Sequence, residues 1–107
     1  MTLLDRIREV LKRDNVSFAE LSRIEGFSGH LEWIMYPSNI VLWGGMSRAA
    51  FEALQVIRDE DEYEIVPTTA LTYLLEGKQL TYPVAEQVRD YPEPHWCPVV
   101  FQRRRTH

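Results

Sequence analysis

The first apolar positions recur at helical spacing. Leu3, Leu4, Ile7, Val10 and Leu11 fall three or four residues apart, with Arg6, Glu9, Lys12 and Arg13 between them, so one side of a helix is apolar and the other charged. Thr2 stands three residues before Asp5, the spacing of a capping box in which a hydroxyl accepts from a free backbone N–H and a carboxylate reaches back. The helix is expected to end near Asp14-Asn15. Ser17 and Glu20 repeat the device, bracketed by Val16 and Leu21 as a hydrophobic staple, and predict a short second helix from Ser17 to about Ile24.

The period then changes. Leu31 to Tyr36 and Ile40 to Trp43 are rich in aromatic and β-branched residues and are separated by Pro37-Ser38-Asn39, which predicts a β-hairpin. Leu31, Trp33 and Met35 lie on one face of it and Ile34 and Tyr36 on the other, so both faces are partly apolar. Beyond Gly44-Gly45, Ser47 caps a third helix in which Ala50, Phe51, Leu54 and Ile57 share a face. That helix is expected to end early in Asp59-Glu60-Asp61-Glu62, because acids at a helix C-terminus oppose its dipole. From Leu71 to Tyr82 the composition folds back on itself: a two-residue turn at Gly77-Lys78 would place Leu75 opposite Leu80 and Tyr73 opposite Tyr82, a second hairpin. Val99 to Phe101 predicts a last strand, at a sheet edge because Pro98 donates no hydrogen bond. The fold class is α+β, with three helices and two hairpins in one small domain over residues 1–102 and a basic tail over 103–107.

Composition agrees. With 107 residues, 45% hydrophobic and 26% charged, the chain is long enough for one core that stands without disulfide or metal staples. One cysteine forms no internal disulfide, no apolar run approaches the roughly 18 residues of a membrane span, and the chain opens without a basic, apolar leader, which together point to the cytoplasm and away from a membrane. The net charge of −4 disfavours wrapping nucleic acid by bulk electrostatics. That charge is uneven: seven acids between Leu31 and Val66 stand against Arg48 and Arg58, whereas Arg103-Arg104-Arg105 lies near the end.

The chemistry of catalysis has no positive signal. Trp43-Gly44-Gly45-Met46-Ser47 has the strand, glycine, helix order of an anion site, but the lysine of a phosphate loop is missing, and a turn, a cap and a Met46 to Phe51 staple explain more of its residues. Cys97 sits two residues after His95 between Pro94 and Pro98, a rigid setting that reads as a buried thiol. His30, His95 and His107 have no paired ligand spacing, so no metal and no cofactor is expected. The acidic run lacks the glycine and the alternating ligands of a calcium loop.

Helix, short capped helix, third capped helix and glycine-tipped hairpin, in that order over Thr2 to Val84, resemble a winged helix-turn-helix domain. The resemblance implies a recognition helix from Ser47 to Arg58, a wing from Tyr73 to Tyr82, and DNA contacts from Arg48, Gln55 and Lys78. The Leu31 to Trp43 hairpin departs from the family, since it interrupts the turn between the second and third helices. Two functions follow. The favoured one is a small non-enzymatic interaction or regulatory domain that binds another protein or itself through exposed rings among Trp33, Tyr36 and Trp43, a use for which tryptophan and tyrosine are suited. The alternative is a winged-helix DNA-binding protein.

Overall fold

Thr2 and Asp5 make the reciprocal cap in the computed structural model, which describes residues 1–78 and 80–104. The Thr2 N–H donates to Asp5 Oδ2 at 3.2 Å and the Asp5 N–H to Thr2 Oγ1 at 3.1 Å, opening α1 (Leu3–Leu11), whose Ile7 and Leu11 are buried. Asp14 and Asn15 then take left-handed backbone angles and turn the chain into β1 (Val16–Ser17). Ser17 caps α2 (Phe18–Leu21) by accepting from the Glu20 N–H at 3.1 Å. This helix is one turn long, shorter than expected. The residues up to Ile24 continue as tighter three-residue turns, with Arg23 N–H on Glu20 O and Ile24 N–H on Leu21 O.

The first hairpin forms from β2 (Ser28–Met35) and β3 (Ile40–Met46), antiparallel, with Trp33 opposite Trp43. It is longer than its apolar stretches suggest, because Gly44 and Gly45 belong to β3. Gly45 has φ +79° where the register slips, so it marks a bulge. Gly29 allows β2 to pass close to the next helix start: a Cβ there would stand 2.5 Å from Ser47 Cα. Ser47 in turn accepts from the Ala50 N–H at 3.0 Å and donates to Gly26 O at 2.7 Å, so the glycine stretch serves a bulge and a cap. Its helix, α3 (Arg48–Glu60), enters the acidic run further than expected and ends at Asp61 with φ +59°. Glu60 is paired with Arg8 of α1 at 2.5 Å, which offsets its unfavourable place at the helix end.

A strand the hydrophobic pattern did not predict, β4 (Tyr63–Pro67), follows, and then α4 (Ala70–Leu75). The predicted second hairpin is therefore wrong. Gly77, with φ +73°, ends a helix instead of tipping a hairpin: its N–H donates to Leu74 O at 3.0 Å and the Lys78 N–H to Tyr73 O at 3.0 Å, the bond pair of a Schellman cap. The wing of the winged-helix resemblance has no counterpart in this segment, and the described residues hold four helices, not three. After the connection come β5 (His95–Trp96), parallel to β3, and β6 (Val99–Arg103). The expected edge position of the last strand is also corrected: β6 lies between β1 and β4, with Phe101 opposite both Val16 and Ile65. Pro98 precedes the strand, so its missing N–H costs no ladder bond. The result is a compact α+β domain of two three-stranded sheets, β1-β6-β4 and β2-β3-β5. Its ordered backbone passes the expected boundary at 102, since Arg103 closes β6 and the Arg104 N–H donates to Glu62 O at 2.8 Å. The remainder of the predicted tail, 105–107, including His107, lies outside the described residues. Among the described residues no helix is long and apolar enough to cross a membrane.

Aromatic rings fill the centre. Phe18 stacks on Trp43 at 5.7 Å and meets Phe101 edge-on at 5.2 Å, while Tyr73 lies 5.4 Å from Trp43 and 5.1 Å from Trp96. The buried Tyr73 hydroxyl accepts from the Phe18 N–H at 3.0 Å and donates to Val99 O at 2.5 Å. Burial holds its proton well above the ordinary phenol value of about 10.

Two predictions follow from these bonds. Ser17→Ala removes the α2 cap and also the hydroxyl that donates to Glu76 Oε1 at 3.1 Å, so denaturant unfolding should show a loss of about 2 kcal/mol. A midpoint equal to wild type would mean that neither bond stabilises the fold. Tyr73→Phe strands a buried N–H and a carbonyl and should cost about 1–3 kcal/mol. Its pH signature has a definite sign: with the folded pKa raised, Tyr73's contribution is complete below about pH 10 and falls as pH rises beyond it, because only the unfolded phenol ionises there. The wild type should therefore lose stability above pH 10 more steeply than Tyr73→Phe, and parallel curves would refute the assignment.

Candidate interaction surface

The expected aromatic surface is mostly interior. Trp33 and Trp43 face each other across the hairpin and are 8% and 5% exposed, packed against Phe18 and, for Trp33, against Phe51 at 6.1 Å. These two rings are interior: a small domain needs large rings to fill its centre, and β2 and β3 turn both inward. Tyr36, at 74% exposed, is the one ring of the three that is presented, at the hairpin end beside exposed Met35.

The residues assigned to DNA contact differ in exposure. Arg48 is exposed at the start of α3 and Lys78 is exposed beyond α4, but Gln55 is half-buried and its Nε2 is a buried donor with no partner among the described residues. Glu52, Asp59 and Glu60 are exposed on the same helix as Arg48. These acids oppose phosphate. His95 and Cys97 have other surroundings: the His95 ring stacks on Tyr91 at 3.9 Å and its Nδ1 lies 2.9 Å from Glu93 O, while burial raises the Cys97 thiol above its ordinary range. Among the described residues no three metal-ligating side chains converge.

The surface that does stand out is on α4. Leu71, Leu74 and Leu75 occupy positions i, i+3 and i+4 of the helix and so share a side, with exposures of 59%, 52% and 79%. Tyr73 on the opposite side is fully buried and bonded to α2 and β6. The helix end is fixed as well, since Ser17 donates to Glu76 and the Arg23 guanidinium lies 3.8 Å from the same carboxylate. Three leucines are thus held toward water on a short helix that cannot turn them inward. The hairpin reading hid this face, because alternation assigns Leu71, Tyr73 and Leu75 to one side of a strand. The signal that would have revealed it is the leucine spacing of three and four followed two residues later by glycine.

Compared with protein-family models, characterised proteins and solved structures, the chain matches none. Its own geometry therefore carries the functional argument. If the leucines are as free as this surface implies, Leu75→Gln should leave the free energy of unfolding within about 0.5 kcal/mol of wild type in a denaturant titration. A loss of 2 kcal/mol or more would place Leu75 in the packed interior and remove the surface.

Proposed function

We propose that this chain is a non-enzymatic protein-interaction or regulatory domain that inserts α4 into an apolar groove on another protein. The observation that carries the reading is the exposed Leu71, Leu74 and Leu75 on a helix whose other side is locked by Tyr73. Contiguous exposed apolar side chains mark contact surfaces, and anchors at i, i+3 and i+4 suit helix-in-groove recognition. The size of α4 favours a concave partner. Two six-residue helices laid against each other bury far less than the roughly 800 Å² per partner of a stable interface, whereas a groove wraps the helix and also reaches its flanks. Lys78, exposed just past the helix, favours an acidic rim on that groove.

The test places a photo-crosslinking residue at position 75 and, as control, at exposed Val56 on α3. A protein crosslinked from 75 and not from 56 should bind the purified domain, and Leu71→Asn/Leu74→Asn should weaken that binding at least tenfold, about 1.4 kcal/mol, with unchanged thermal unfolding. Sedimentation of the isolated domain as a dimer that the same double variant dissolves would replace the groove partner with a second copy. Tight duplex-DNA binding that falls steeply with salt and requires Arg48 and Lys78 would replace protein binding with nucleic-acid binding.

A further inference from the structure

Away from α4, the two sheets separate at the end where α3 finishes and leave a cleft of about 330 Å³. Trp33, Ile40 and Leu42 wall it from one sheet and Ile65 and Val99 from the other, with the Cys97 thiol also on its wall. Exposed Met35 and Val88 stand among its lining residues, so the cleft meets water through apolar side chains. This volume is at the small end of ligand pockets, which are mostly apolar with a few placed polar groups. The cleft has one charged lining residue, Arg58. Its guanidinium is bonded to the neighbouring Asp59 at 3.3 and 3.4 Å, an exposed pair of adjacent residues that holds it weakly. On its other side Arg58 borders Asp61 and Glu64, and Asp61 is itself paired with Arg104 at 3.1 Å.

We propose that this cleft binds a small anionic amphiphile of the medium-chain carboxylate kind, with its hydrocarbon between the sheets and its carboxylate on Arg58. Each half of the ligand answers a feature of the site. Carbon-lined walls without a polar partner offer nothing to a hydrated group and gain contacts from a chain. A guanidinium at the edge of such walls offers two N–H donors in the geometry a carboxylate accepts. A neutral chain would gain nothing from that cation, and a cationic one would be repelled by it.

Cys97, the single cysteine of the chain, makes occupancy measurable. It is almost buried and its neutral thiol reacts slowly, so labelling by an aromatic disulfide reagent is followed in alkaline buffer. Decanoate should slow the labelling saturably, and decanol should require roughly tenfold more, the difference one charge-assisted hydrogen bond supplies. Arg58→Gln, an exposed position, should weaken decanoate about tenfold and leave decanol unchanged. Ile65→Trp, which fills the cleft, should abolish protection by both, and a heteronuclear spectrum checks that it folds. Leu71→Asn/Leu74→Asn should bind decanoate as wild type does, which keeps this site separate from the α4 reading. Absence of saturable protection would overturn the proposal. So would equal protection by decanoate and decanol, or decanoate binding that survives Arg58→Gln or vanishes with the α4 leucines.

Discussion

The Tyr73 hydroxyl is the constraint on which the rest of the molecule depends. It takes a hydrogen bond from the first backbone N–H of α2 and gives one to the first carbonyl of β6, so a single side chain from α4 closes the gap between a helix start and a central strand. Both groups would otherwise be buried and unpaired, a cost of about 1–3 kcal/mol for the loss of this one hydroxyl. The ring completes the arrangement by touching Trp43 of one sheet and Trp96 of the same sheet's short parallel strand. One residue therefore joins both sheets and two helices. Its position also decides the outer surface: once Tyr73 is inward, helical geometry places Leu71, Leu74 and Leu75 outward.

Ser17 complements that junction from the other side. It is fully buried, caps α2, and donates to the carboxylate at the end of α4, so the start of one helix and the end of another share a hydroxyl. The link is unusual in its economy, because α2 and α4 are four and six residues long and neither would hold its shape in isolation. Their order comes from tertiary bonds. The same reasoning explains why β6 is central although it follows a proline: Val99 through Arg103 each find a partner on β4, and the side chains of Asp14 and Asn15 add bonds to Arg103 and Gln102 at 2.8 and 2.6 Å.

What was legible in the chain follows from which forces are local. The capping box at Thr2, the caps at Ser17 and Ser47 and the Leu31 to Trp43 hairpin rest on bonds and periodicities spanning a few residues and form where the residues predict them, although at Ser17 the Glu20 carboxylate does not complete a box. The segment from Leu71 to Tyr82 does not, because LTYLLEGK fits two patterns: alternation around a Gly-Lys turn, or one helical turn ended by glycine. The choice is made by the partners of Tyr73, which come from residues 18 and 99 and cannot be read locally. Tyr63–Pro67 was missed for a related reason. Its residues alternate weakly and are half-buried, and it becomes a strand by pairing with β6 across more than thirty positions of chain. The aromatic rings were misplaced for the opposite reason: composition marks tryptophan for interfaces and for cores alike, and only the facing of β2 and β3 decides.

That decision shapes what kind of surface remains. With Trp33, Trp43 and Trp96 used to fill the interior, the large apolar groups left facing water are mainly aliphatic, on α4 and around the hairpin end. Aliphatic side chains have little directional preference, so their recognition depends on the shape that holds them. Here the shape is rigid on the protein's side. The Schellman cap, the Ser17 bond to Glu76 and the buried Tyr73 fix α4 before any partner arrives, which lowers the ordering cost that a six-residue helix would otherwise incur on binding. On the proposed reading, a short helix with three leucines that would be a weak ligand as a free peptide gains from being ordered by the fold in advance. The aromatic interior and the aliphatic exterior are in this sense one design, since the packing of the first is what holds the second in place.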